Sequence, residues 1–300
     1  MKKKFLNLFG AKKTKPLSEQ HKPDTIPLSD RQIDEALANA LHIEPQQFIY
    51  GCGQSIGKQR EHNEDCIFAL SIAIGGEATS YPFGLFIVAD GMGGHQYGEV
   101  ASATAARTLA GHILKRFHPT LVNPSTSMDE SIQELMRSAI NEAQKAVTQA
   151  APGSGTTLTA ALVLGRQMTI GHVGDSRAYA IHPYGRGEAL TRDHSLVKRL
   201  EELGQISSEE AAIHPQRNVL YRALGQGEIL EPDIFTAPFP QTGYLLLCSD
   251  GLWSVLSDDN LFHVVASAKD LQDACQSLVA AANEAGGPDN ISVIVVKLTT

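Results

Sequence analysis

Long apolar runs are missing from this sequence of 300 residues, and no stretch approaches the roughly 20 residues of a membrane span. The opening MKKKFLNLFGAKK starts basic, but its apolar stretch is too short for a secretory signal and lysines follow at once. Cysteine is scarce. Cys52, Cys66, Cys248 and Cys275 are widely spaced, and without a CxxC pair they offer neither a disulfide framework nor a zinc site. A GxxxxGKS or GxxxxGKT loop is absent, which argues against nucleotide binding of that kind, and no HExxH pairs the histidines. Together these absences point to a protein of the cytoplasm.

Positive charge is also in short supply outside the N-terminus. The net charge of −8 argues against a nucleic-acid partner. Of the 25 basic residues, six lysines fall in residues 1–15, so the other 19 face 33 acidic side chains. Crowded carboxylates repel unless a cation neutralises them, so part of that acid is expected to bind metal. Residues 1–47, interrupted by Pro16, Pro23, Pro27 and Pro45, read as a flexible tail with one short helix over Ser29–Leu41. Its lysines read first as solvated charge. The alternative is a weak anchor on anionic lipid, with Phe5, Leu6, Leu8 and Phe9 on the apolar side.

Apolar residues make up 42% of the chain, enough for a sizeable core. Leu85–Ala89, Thr157–Leu164, Met168–Val173, Tyr244–Cys248 and Ile291–Leu298 read as strands, and Arg177–Ile181 returns after a Gly-Asp turn. Ala105, Leu109, Ile113 and Phe117 recur at helical spacing. So do Ile132, Leu135, Met136, Ala139, Ala143 and Val147, and again Leu271, Ala274, Cys275, Leu278 and Ala282. Strands alternating with helix pairs favour a layered α+β domain, and without repeats or low-complexity tracts residues 48–300 form one domain.

The positions of the aspartates carry the chemistry. Asp90 in VADGMGG, Asp175 in HVGDSR and Asp250 in CSDGL each follow an apolar strand, and Asp289 in GGPDN precedes one. An unpaired acid at the end of a buried strand is costly, so four of them suggest a shared purpose at the rim of a sheet. Each alone has a plainer reading, since Asp-Gly is commonly a turn and Gly-Asp-Ser could close a hairpin. Carboxylates joined by backbone carbonyls suit hard cations, Mg²⁺ or Mn²⁺ rather than Zn²⁺. Arg60, Asn63, Glu64 and Asp65 in GKQREHNEDC add an arginine that could be a structural ion pair or could hold a phosphate by its planar fork of donors.

The ordered set RxxNED, DGMGGH, GTTL, GDSRAY, TRDHS, SDGLW and GGPDNISVIVV resembles the metal-dependent protein phosphatases of the protein phosphatase 2C type, bacterial members in particular, from about Gly53 to Val296. The resemblance implies a central sandwich of two antiparallel β-sheets flanked by helices, with a metal cluster at one edge. It implies Asp90 bridging two Mn²⁺ or Mg²⁺ ions, the Gly91 carbonyl on the second, and Asp250 and Asp289 on the first. Asp175 resembles the acid that holds a third, weaker ion with Asp250. Glu64 and Asp65 resemble acids that bind the metals' waters, and Arg60 the phosphate-binding arginine. Residues from His194 to Asn218 resemble a mobile flap.

One position departs from the pattern. Some members carry a histidine two residues after the bridging aspartate, where this chain has Met92; His95 does not inherit its role. The implied reaction is hydrolysis of phosphoserine and phosphothreonine in proteins, by a water that two cations activate while Arg60 aligns the phosphoryl group. The partners are then phosphorylated substrates of Ser/Thr kinases, and the enzyme is expected to be a monomer. No cysteine has an arginine six residues later, as a cysteine phosphatase loop requires. Two rivals stay open: a catalytically silent scaffold of the same fold that binds phosphoproteins, and a hydrolase of small phosphate esters. Arg60 and all the metal acids are present, which weighs against the first. His62, His172 and His194 read as surface or hydrogen-bonded residues, and Trp253 as packing.

Overall fold

The computed structural model describes residues 29, 31, 46–73, 82–93, 97–123, 130–227 and 230–299. The chain divides into two units, Met1–Glu44 and Pro45–Thr300. The expected tail, its lysine anchor and its short helix lie outside the described residues apart from Ser29, Arg31, Gln46 and Gln47, and so does His95.

The second unit holds two antiparallel sheets, with strands numbered in chain order. One runs β1 (Phe48–Ser55), β11 (Ile291–Leu298), β10 (Tyr244–Cys248), β7 (Arg177–His182) and β8 (Arg186–Ala189). The other runs β2 (Asp65–Ile72), β3 (Phe83–Met92), β5 (Leu158–Leu164), β6 (Gln167–Val173) and β9 (Asp233–Pro238). A short β4 (Gly155–Thr156) pairs the end of β3. The apolar runs are explained by burial on both faces. In β3, Phe86 and Val88 face the partner sheet, where they join Leu245, Leu247, Ile294 and Val296. Leu85, Ile87 and Ala89 face the other way, into a helical layer.

That layer is α1 (Gly98–Val122) and α2 (Ile132–Ala150), which supply Ala105, Leu109, Ile113, Leu135, Met136 and Ile140. Helix α2 begins with a capping box: the Ser131 hydroxyl accepts from the Glu134 N–H at 3.2 Å, and the Glu134 carboxylate accepts from the Ser131 N–H at 2.9 Å. The segment expected to be a flap holds α3 (Leu196–Glu202) and α4 (Ser208–Ala212). Short α5 (Asp250–Trp253) leads to α6 (Asp258–Ser267) and α7 (Leu271–Glu284). These last two cover the outer face of the first sheet through Leu261, Phe262, Val265 and Leu278, packed on Tyr179, Leu246, Val293 and Val295. The result is four layers, helix–sheet–sheet–helix, as the resemblance implied.

One sequence expectation fails. Gly174, Asp175 and Ser176 do not close a hairpin, because β6 and β7 belong to different sheets. The turn carries the chain across the sandwich, and this crossing sets Asp175 at its rim. Two close approaches position the neighbouring acids. A Cβ on Gly91 would stand 2.2 Å from the Gly98 carbonyl and 2.5 Å from the Glu64 carbonyl, both fixed backbone. A Cβ on Gly98 would meet the Glu64 carboxylate first, 2.7 Å from its carbon. Gly91→Ala is therefore expected to lose about 2 kcal/mol or more through overpacking. Gly98→Ala, relieved by a swing of Glu64, should stay within about 1 kcal/mol of the wild type. Urea unfolding midpoints of the two variants check this contrast.

Candidate active site

A cavity of about 530 Å³ opens at the rim where strands of both sheets end. Arg60, Glu64, Asp90, Gly91, Asp175, Asp250, Asp289 and Asn218 all line it. Asp65 and His194 do not; each sits behind the lining. Asp90 lies inside β3 rather than after it, since the strand continues to Met92. Asp250 opens α5 two residues past the end of β10, and Asp289 stands two residues ahead of β11.

The acids are crowded and poorly solvated. Burial, then the neighbouring carboxylates, hold Asp90 and Asp175 well above the usual carboxylate range. Burial and the charge of Asp289 push Asp250 up to about 6. Asp65 rises to about 7, chiefly through burial and against the pull of hydroxyl hydrogen bonds. Two carboxylate oxygens, Asp65 Oδ1 and Asp250 Oδ1, are buried without a hydrogen-bond partner. Arg60 pairs with Asp289 at 2.6 Å while half its side chain stays exposed. Among the described residues, no three acidic, histidine or cysteine side chains are drawn into a ready-made metal cage.

Neutral residues hold these acids in place. Asn290 Nδ2 donates to the carbonyls of Ile56 and His62 at 2.9 and 2.8 Å, and its Oδ1 accepts from the Glu64 N–H at 2.8 Å. One side chain thus fixes the loop that carries Arg60 and Glu64. The Ser249 hydroxyl donates to Asp65 Oδ2 at 2.7 Å and accepts from the Ser292 N–H. Thr157 Oγ1 accepts from the Asp90 N–H at 2.9 Å and meets the Ser176 hydroxyl at 2.7 Å, linking the Asp90 and Asp175 segments. Sequence reasoning assigned no role to Asn290, Ser249 or Thr157. The available signal was their position beside an acid, in PDN and SDG, or within GTTL.

Other motif residues serve the frame. Arg177 bonds both oxygens of Asp193 at 2.9 and 2.7 Å, and its guanidinium lies 3.6 Å over the Trp253 ring. Trp253 Nε1 donates to the Asp175 carbonyl at 2.9 Å. GDSR, RDHS and SDGLW therefore meet in one clamp behind Asp175. His62 lines the cavity, whereas the rings of His172 and His194 pack tilted against each other with centroids 4.8 Å apart, and neither lines it. Burial pushes the thiols of Cys52 and Cys275 up to about 11 and about 12, so neither is poised as a nucleophile.

Comparison with known proteins agrees with this architecture. The family model Protein phosphatase 2C matches residues 51–291. The serine/threonine phosphatase stp of Listeria welshimeri is 38% identical over 247 residues, covering 80% of this chain and 92% of its own. Protein phosphatase PhpP of Streptococcus pneumoniae is 35% identical over 246 residues, covering 81% and 94%. The crystal structure of the Mycobacterium tuberculosis serine/threonine phosphatase PstP/Ppp superposes with a TM-score of 0.70 at 30% identity, over 85% of this chain and 100% of that one. A structure of the PstP catalytic domain in complex with two manganese ions superposes with a TM-score of 0.68 at 28% identity, over 85% and 100%. With its layered sandwich and acid-lined rim, the chain belongs to the protein phosphatase 2C family.

Proposed function

We propose that residues 48–300 form a catalytic domain that hydrolyses phosphoserine and phosphothreonine in proteins phosphorylated by Ser/Thr kinases. In this reading Asp90, the Gly91 carbonyl, Asp250 and Asp289 hold two Mn²⁺ or Mg²⁺ ions, and Asp175 with Asp250 holds a third. The observation that carries it is the set of buried, mutually repelling carboxylates, with Asp65 Oδ1 and Asp250 Oδ1 unpartnered. Such oxygens are strongly disfavoured unless protonated or neutralised, and an all-oxygen set suits hard divalent ions. The relatives named serine/threonine phosphatases, and the two manganese ions in the PstP complex, support the same reading.

When bound there, the cations supply an activated water and neutralise charge on the phosphoryl oxygens. The protein's own groups do the positioning. Arg60 offers its planar fork to two phosphoryl oxygens and sets the phosphorus in line. It can do so because Asp289, its present partner, has a carboxylate that a cation would compensate. Glu64 and Asp65 accept hydrogen bonds from water at the back of the site. Asn218, on the flap, faces the entering substrate from the cavity wall. Met92 has no proton to donate to the leaving alkoxide.

Phosphothreonine-peptide hydrolysis should vanish in EDTA and return with Mn²⁺, and full activity in chelator would sink the reading. Nucleotides and sugar phosphates, assayed in parallel, should be poor substrates. Arg60→Ala should raise KM and slow turnover while calorimetric Mn²⁺ binding stays intact; collapse of metal affinity would make Arg60 structural. Asp250→Ala should abolish Mn²⁺ binding at the main centre and cut the rate at least about a hundredfold. Asp175→Ala should keep two ions and lose activity less evenly across substrates. Calorimetry on both variants decides between these assignments, and the reverse ranking would contradict them.

A further inference from the structure

The flap closes at its base through a small hydrogen-bonded neck. The Leu196 N–H donates to the Val219 carbonyl at 2.8 Å, and the Tyr221 N–H donates to the His194 carbonyl at 2.9 Å. The neck thus joins the two ends of the excursion that carries α3 and α4. His194, at the entering end, has a side chain only 1% exposed.

The other face of His194 meets Gly174, the residue before Asp175. The His194 N–H donates to the Gly174 carbonyl at 2.7 Å, and the Gly174 N–H donates to His194 Nδ1 at 3.1 Å. One residue therefore brackets Gly174 through both of its peptide groups. Because Nδ1 accepts, the ring proton stands on Nε2, which lies 3.2 Å from both Asp233 Oδ2 and Arg222 Nη1. Arg222, just past the neck, donates to Asp233 Oδ1 at 3.1 Å. Gly174 has φ of +105°, where side chains are rarely tolerated, and a Cβ there would stand 2.7 Å from Thr157. The conformation that sets Asp175 at the rim depends on outside contacts, namely His194 before it and Trp253 on its own carbonyl.

We infer that His194 is a positioning residue that couples the flap to the Asp175 carboxylate: its Nδ1 fixes the Gly174 peptide while its backbone closes the neck. The inference rests on the proposed role of Asp175 as a metal ligand. Holding a ligand through its own backbone resembles the outer contacts that orient metal-binding side chains.

The test compares His194→Asn and His194→Gln in the full chain. Asparagine places its amide oxygen where Nδ1 stands, whereas glutamine carries its polar end out to the position of Nε2. Trp253, the only tryptophan of the chain, reports on the same loop in metal-free protein, and Mn²⁺ calorimetry reports on the acids. His194→Gln is expected to shift the Trp253 emission and to weaken the weakest Mn²⁺ affinity about tenfold. His194→Asn should stay close to wild type in both. Equal behaviour of the two variants, or a better glutamine, overturns the inference. So does failure of both to fold, which would make His194 purely structural. If His194→Gln alone fails to fold, a folded His194→Asn with altered emission overturns it, and unaltered emission supports it. Asp175→Asn is the control. If it leaves Mn²⁺ binding unchanged, the ligand role of Asp175 falls, and the Trp253 emission alone then decides the role of His194.

Discussion

Like charge held at the end of a dry sandwich is the constraint from which the rest of the structure follows. Both sheets are buried on both faces, so their strand ends deliver side chains into a region already poor in water. Aspartates placed there face each other with little solvent to screen them, and Asp65, Asp90, Asp175 and Asp250 are pushed toward protonation. A fold that wanted only stability would place apolar or hydrogen-bonded neutral groups at these positions. Keeping the acids is costly without a counter-charge, and a site of this composition is most favourable with cations in it.

The supporting contacts follow from the same constraint. Basic partners would neutralise the acids and compete with a metal, and Arg60 is the only lysine or arginine among the described residues lining the cavity. The acids are held instead by the neutral groups of Asn290, Ser249 and Thr157, which orient carboxylates or their backbone without cancelling their charge. The pairing of Arg177 with Asp193 lies outside the cavity lining and is covered by the Trp253 ring. Charge is thus divided between a frame that is neutralised internally and a rim that is not.

This division explains what could be read from the sequence. Doubly buried strands such as β3, β5, β10 and β11 show as mostly apolar runs, and the acids near their ends stand out against them. β1 and β2 are harder to see. β1 is interrupted by Gly51 and Gly53, which the close approach of α7 requires: a Cβ on Gly51 would stand 2.2 Å from the Leu271 carbonyl. β2 lies at the edge of its sheet and is mostly half-buried, so its pattern is mixed. The Gly-Asp-Ser turn looks locally like a hairpin, and only the assignment of β6 and β7 to different sheets corrects that. The roles of Asn290 and His194 depend on partners far along the chain, the Ile56–Glu64 loop for one and Gly174 for the other. A local pattern can mark Asn290 by its place beside Asp289, but it cannot show the distant partners of either residue.

Arg60 shows why pairing and catalysis are not rival explanations of one residue. Its guanidinium now shares an oxygen of Asp289, and that oxygen cannot be fully committed both to a guanidinium and to a dication at the same distance. A bound cation would weaken the hold of Asp289 on Arg60, and the half-exposed arginine would then have its planar fork free for a dianionic phosphate. Metal and phosphate would therefore favour each other through Asp289 without any rearrangement of the sheets. Substitution at Asp289 removes both a carboxylate from the proposed cation site and the arginine's resting partner, so its effects are mixed by construction. Substitution at Arg60 leaves the acids in place. If Arg60 binds phosphate as proposed, it is therefore the position at which that binding can be separated from the charge balance of the rim.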